Sequence, residues 1–141
     1  MKVKIKRFDV ALPLPEYKTK GAAAIDLVAR ETVMIKAHQT GMVPLNIALK
    51  LPTGTWALLA ARSSLHKKGL MVANGIGIGD EDFSGDGDEY KAALINVSDQ
   101  DVTVERGERI VQMILMTKQV FEWQEVKKLD GKDRGGFGST G

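Results

Sequence analysis

The chain contains no cysteine, which excludes a disulfide framework, a thiolate nucleophile and any cysteine-based zinc site. An intracellular setting is the one this composition fits best. It also lacks a strong charge of either sign: 20 basic and 18 acidic residues leave a net charge of +2, with no polybasic run. A nucleic-acid backbone is therefore not the expected partner, whereas a free nucleotide is still allowed. Continuous apolar stretches are missing too. The amino-terminal Met1-Lys2-Val3-Lys4-Ile5-Lys6-Arg7 alternates charged and apolar residues, which predicts a first strand and neither a signal peptide nor a membrane span.

What is present reads as an all-β chain. Its 141 residues are enough to bury a core without metal or disulfide staples, and no internal repeat or linker divides them. Short apolar runs, partly β-branched, are punctuated by Gly, Pro, Asp and Asn at intervals of about ten residues. Strands are predicted over residues 3–8, 24–29, 32–37, 42–51, 55–61, 70–73, 90–97, 101–105, 109–116 and 120–126, the rhythm of a sandwich or jelly roll. A competing pattern makes residues 108–128 one amphipathic helix with Ile110, Ile114 and Phe121 on a shared face, but Thr117, Val120 and Trp123 suit strands better. One short helix is predicted near residues 63–68, started by the serines and stopped by Gly69.

Three segments carry chemistry. The carboxyl-terminal Arg134-Gly135-Gly136-Phe137-Gly138-Ser139-Thr140-Gly141 is too rich in glycine to order itself, yet it holds a guanidinium, a ring and two hydroxyls. Such a segment can clamp a nucleoside polyphosphate, with Arg134 on phosphate oxygens and Phe137 over a flat base; the alternative is a frayed polar terminus. Arg62-Ser63-Ser64 falls where a strand yields to the short helix, as in an anion site, or as in simple serine capping. A Ser-His pair with His66 lacks a nearby carboxylate to orient the imidazole. In Asn74-Gly75-Ile76-Gly77-Ile78-Gly79-Asp80, alternating glycines let a base lie against backbone, and the terminal carboxylate can position a water. The acidic stretch that follows resembles the start of a calcium loop, but Lys91 stands where the final bidentate glutamate belongs. Weak metal binding or a solvated acidic turn are the other readings of residues 80–89.

Taken in order, these segments resemble the trimeric dUTP pyrophosphatase family, commonly called dUTPase. The resemblance rests on Ala23-Ala24-Ile25-Asp26-Leu27, Arg62-Ser63-Ser64-Leu65, the hairpin over residues 74–96, Gly107-Glu108-Arg109-Ile110-Val111-Gln112 and the glycine-rich carboxyl terminus. It implies a distorted jelly roll or β-barrel over residues 1–133 with residues 134–141 as a flexible lid, and hydrolysis of dUTP to dUMP and pyrophosphate. It further implies that Asp80 holds the deoxyribose 3′-hydroxyl and orients the attacking water, with Asp26, Gln112 and Arg134 completing the catalytic set. Asn74, Ile78, Gly79 and Lys91 would read uracil, and Phe83, in place of the usual Tyr, would pack on the sugar. Arg62, Ser63 and Ser64 would hold phosphates; Phe137, Gly138, Ser139 and Thr140 would close over the base. Mg²⁺ would be held by phosphates and water, with Asp26 acting through that water and no direct protein ligand. Each site would be shared among three subunits of a homotrimer, without nucleic acid or membrane.

The chain departs from the family pattern in a hairpin extended by Asp86-Gly87-Asp88, in Gly79 before the aspartate, and in a spacing after Arg134 that is two residues short. Ala61, Ala24 and Val111 are milder exchanges. Two other readings stand beside hydrolysis. A dCTP deaminase-like or bifunctional enzyme of the same fold needs a glutamate where this chain has Ala93, and a non-catalytic nucleotide sensor would use the same site for binding alone.

Overall fold

The computed structural model describes residues 1–138. Eleven strands and one 3₁₀ turn follow in the order β1 (Lys4–Arg7), β2 (Ile25–Val28), β3 (Val33–Ile35), β4 (Thr40–Pro44), β5 (Ile47–Lys50), β6 (Thr55–Ala61), the turn Leu65–Lys68, β7 (Leu70–Val72), β8 (Gly77–Gly79), β9 (Lys91–Asn96), β10 (Val102–Val104) and β11 (Arg109–Thr117). They pair antiparallel in four small sheets, ordered β1-β5, β10-β3, β2-β11-β6-β8 and β4-β9-β7. Alternation of side chains drives this arrangement. In β6, Thr55, Ala57 and Leu59 point inward, and in β9 Ala92, Leu94 and Asn96 do. Leu27, Ile35, Val43, Ile47, Leu70, Leu94, Val104 and Ile110, drawn from all four sheets, meet in one buried cluster. The chain is thus the all-β, jelly-roll type its composition predicts.

Three local expectations change. The expected strand over 42–51 is two strands, because Asn46 adopts a left-handed φ of 68° and turns the chain between β4 and β5. Asn46 is buried, and its side chain exchanges hydrogen bonds with the Asp9 backbone, accepting from Asp9 N at 2.6 Å and donating to Asp9 O at 3.0 Å. The strand expected over 109–116 forms as β11, which pairs with both β2 and β6, and the competing helix over 108–128 does not. A register irregularity between Arg109 and Val111 buries both Ile110 and Val111 while leaving Arg109 exposed. Residues 120–126 do not form a strand: Val120, Phe121 and Trp123 are exposed and meet no partner strand among the described residues. Finally, β8 was not among the expected strands, since two of its three residues are glycines that offer no apolar signal.

A single buried carboxylate fastens the corner between β4 and β5. Glu89 accepts from Arg30 Nε at 2.7 Å and Arg30 Nη2 at 3.0 Å, and also from the Asn46 amide at 3.0 Å. The hydrogen bond from Arg30 to Glu89 is the leading cause that raises the guanidinium above its ordinary value, against its own desolvation. Glu89→Ala would leave the Asn46 N–H without its acceptor and Arg30 with only Glu31, whose Oε1 lies 2.6 Å from Nη1. We expect it to lower unfolding free energy by about 2–4 kcal/mol in urea titration; a loss below about 0.5 kcal/mol would show that this pair does not anchor the corner.

Candidate active site

The hairpin between β7 and β9 is built to expose backbone. Gly75 has a φ of 74°, allowing the turn at Asn74 in which the Ile76 amide donates to Asn74 O at 2.9 Å. β8 then pairs on one side only, with β6, in the register Ala57↔Gly79 and Leu59↔Gly77. Asn74, Gly77, Ile78, Gly79, Asp80, Phe83, Tyr90 and Lys91 line a cavity of about 540 Å³, open to solvent. Asp80 and Ile78 are exposed on it, and the Phe83 ring forms part of its wall. Every residue expected to read the nucleoside from the glycine-rich segment therefore lies around one concavity.

The extension Asp86-Gly87-Asp88 is ordered by its own turn and by contact with β1. Asp88 accepts from the Gly85 amide at 2.7 Å, and the Asp88 amide donates to Gly85 O at 3.1 Å. Lys6 Nζ bonds both the carboxylate and, at 2.8 Å, the carbonyl oxygen of Asp86. On the other limb, Glu81 accepts from the Gly54 amide at 2.9 Å and lies 3.7 Å from Lys118 Nζ. The acidic stretch is thus tied down by cations and amides at separate points, and among the described residues no three His, Asp or Glu side chains gather as a metal cage.

A second cluster sits across the same sheet. Asp26 on β2 accepts from Arg62 Nε at 2.9 Å and from Arg109 Nη1 at 3.2 Å. Arg62 also donates to Arg109 O at 3.2 Å, and Gln112 Nε2 donates to Ala61 O at 2.9 Å. Gln112 pairs in register with Asp26 on one side and Ala60 on the other, so β11 is the spacer that brings β2 and the end of β6 to one place. Ser63 and Ser64 are exposed just before the 3₁₀ turn, and Ser64 makes no side-chain capping bond. Their hydroxyls are available to a ligand. This cluster contributes nothing to the lining of the hairpin cavity.

The remaining predicted residues belong to the carboxyl-terminal segment. Arg134, Phe137 and Gly138 lie on an exposed carboxyl-terminal segment and do not line the hairpin cavity, and Ser139 and Thr140 lie outside the described residues. Two residues of interest escaped the sequence reading. Arg109 lies within the Gly107-to-Gln112 motif, and its salt bridge to Asp26 needs the pairing of β11 with β2. Tyr90 lies beneath Gly79, eleven positions away along the chain; only the hairpin brings them together.

A family model described as dUTPase matches residues 11–141. Deoxyuridine 5′-triphosphate nucleotidohydrolase from Orientia tsutsugamushi (strain Boryong) is 41% identical over 149 residues, covering 100% of this chain and 99% of the relative. The chain belongs to the dUTPase family. The Helicobacter pylori (strain ATCC 700392 / 26695) nucleotidohydrolase is 40% identical over 146 residues, covering 100% of this chain and 97% of the relative. The solved dUTPase of Streptococcus mutans shares 29% identity at a TM-score of 0.76, over 84% of this chain and 98% of that one. A Staphylococcus bacteriophage 80alpha dUTPase with dUPNHPP superposes at 0.85 over 99% of this chain and 98% of that one; at 21% identity it speaks for the fold alone.

Beside Asp80, Glu81 gives a pH-dependent tether. The Gly54 amide, more than Lys118, holds the Glu81 carboxyl below the usual glutamate range. Its contribution to stability is present above the ordinary glutamate pKa and is lost as pH falls through the lowered value. Glu81→Gln should therefore flatten the fall in Tm between about pH 5 and about pH 3 relative to the parent. A parallel acid limb in the two proteins would show that the tether carries no stability.

Proposed function

We propose that this chain hydrolyses dUTP to dUMP and pyrophosphate through water attack on the α-phosphorus. The observation that carries the reading is the gathering of Asn74, Ile78, Gly79, Asp80, Phe83 and Lys91 around one cavity, on a chain of the dUTPase family. Uracil sits against the hairpin backbone, where main-chain amides and carbonyls match its edge and leave no room for a methyl group. Phe83 packs on deoxyribose. Asp80 accepts from the 3′-hydroxyl and orients the water, the role a carboxylate within reach of both can fill. Such a site also keeps uracil out of DNA and supplies dUMP for thymidylate synthesis.

The phosphates belong to the Asp26 cluster. Arg62 uses Nε and Nη1 inside the protein, which leaves Nη2 for phosphate oxygens. Ser63 and Ser64 donate to the same oxygens, and the second N–H of Gln112 is oriented by the bond its amide makes to Ala61. The donor chemistry suits Mg²⁺: oxygen ligands come from phosphates and water, and the Asp26 carboxylate, with one bond from each arginine, retains lone pairs to accept from such a water. When bound, the ion neutralises the polyphosphate and eases departure of pyrophosphate. No covalent intermediate is required.

Because the nucleoside cavity and the phosphate cluster do not share a lining, we assign them to different subunits of one site. The chain after β11 supports an assembly: Val120, Phe121, Trp123, Val126 and Leu129 are exposed, a run of apolar surface that a second copy can cover. Residues 134–141 then act as the lid of a third copy, with Arg134 on the γ-phosphate and Phe137 over uracil. A deaminase reading finds no support, since Ala93 lies within β9 opposite Met42 and carries no acid–base group.

Purified enzyme offered dUTP, dCTP, dTTP and UTP with Mg²⁺ should release pyrophosphate from dUTP alone; ammonia from dCTP, or no turnover, would overturn the reading. Asp80→Asn should reduce kcat by at least about a thousandfold while binding is kept. Deleting residues 134–141 should cut the rate severely and leave a particle three times the mass of the shortened chain in sedimentation equilibrium, just as the parent should sediment as three 15.4 kDa chains. Near-normal turnover by the truncated protein would refute the lid, and a monomeric parent would refute the shared site.

A further inference from the structure

Tyr90 has no part in the chemistry above, yet it lies directly under the nucleoside cavity. The residue is 4% exposed, and among the described residues its hydroxyl is a buried polar atom without a hydrogen-bond partner. Its backbone is clamped on both sides: the Tyr90 amide donates to Ile47 O at 2.8 Å, and Tyr90 O accepts from the Leu45 amide at 2.9 Å. The ring therefore rises from a fixed root at the end of the Glu89 corner. Above it is Gly79, where an added Cβ would lie 2.5 Å from both Cε1 and Oη of the ring. The ring occupies the space that a side chain at position 79 would need. It also meets Phe83 edge to face, with centroids 5.3 Å apart and planes at 76°.

Gly79 and Phe83 bracket Asp80. β8 is a three-residue edge strand with glycine at both ends, paired among the described residues only to β6, and glycines give an edge strand no side-chain packing to hold it in place. We infer that Tyr90 is a positioning residue: its ring sets the height of Gly79 and the tilt of Phe83, and so aims the Asp80 carboxylate into the cavity. This rests on the assignment of Asp80 and Phe83 to dUTP hydrolysis. Burial, and after it the Asp80 charge, raise the phenol above its ordinary value, so the ring stays neutral beside the carboxylate at working pH. The positioning is done by the ring, since the hydroxyl makes no bond within the described chain.

The test compares steady-state dUTP hydrolysis by full-length parent, Tyr90→Phe, Tyr90→Leu, Gly79→Ala and the double variant Gly79→Ala/Tyr90→Leu, with Tm as a check on folding. Tyr90→Phe should keep kcat and KM within about twofold, with a Tm no lower than the parent. Tyr90→Leu and Gly79→Ala should each lower kcat by about tenfold or more, with KM moved less. The double variant should recover at least about threefold over either single variant, because the added methyl fills the space the ring vacates. Parental kcat in Tyr90→Leu or Gly79→Ala overturns the inference, as does a Tyr90→Phe enzyme as impaired as Tyr90→Leu, or a double variant no better than the singles. If Tyr90→Leu fails to fold, Gly79→Ala and Tyr90→Phe decide the matter by the same criteria. A parent without dUTP turnover, or an active Asp80→Asn, overturns the functional reading and this inference together, whereas an active parent with unaffected variants overturns only the role of Tyr90.

Discussion

The Glu89 carboxylate is the constraint on which the candidate nucleoside cavity depends. It is a buried charge whose two oxygens are taken up by Arg30, with the Asn46 amide sharing one of them. Burying a carboxylate is costly unless it is paired and hydrogen-bonded, so this geometry selects a single arrangement of the corner between β4 and β5. The next residue, Tyr90, is bonded through both backbone groups to the two sides of that corner. The root of the hairpin is therefore rigid. Among the described residues its tip is held by local turns, by Lys6 on Asp86, by Glu81 on Gly54 and Lys118, and by Phe83 against the Tyr90 ring.

This division matters for an enzyme of the dUTPase family. In the reading proposed above a base is recognised by backbone, and backbone can be read only where the chain is kept out of ladder pairing. β8 meets that need by being short, glycine-rich and paired along one edge. The same features leave it without side-chain packing of its own, and the Tyr90 ring supplies what Gly79 lacks. The Asp26 cluster is organised differently. Three strands in close register hold Asp26, Arg62, Arg109 and Gln112, so one carboxylate balances only one of the two guanidinium charges and the cluster keeps a net positive charge.

Much of this was legible along the chain. The period of apolar residues and their punctuation placed most strands, and Gly69 marked the end of the short helix, where it takes a left-handed φ of 72°. What failed did so for physical reasons. Residues 120–126 have strand composition but, among the described residues, no neighbour to pair with. β8 has a neighbour and no apolar pattern. Propensity reports how a segment fits a pleated surface, and only the rest of the molecule decides whether such a surface is offered.

The sequence by itself determined the all-β class, the family and the residue types from which a nucleotide site could be made, because these follow from side-chain period and from motifs in fixed order. Tertiary structure alone decided how those residues are grouped. Asn74, Asp80, Phe83 and Lys91 share a cavity while Asp26, Arg62 and Gln112 form a separate cluster. Arg109 joins Asp26, and Tyr90 comes to rest under Gly79. Such groupings depend on strand pairing and on a buried ion pair between residues far apart in the chain, and neither is encoded in local spacing.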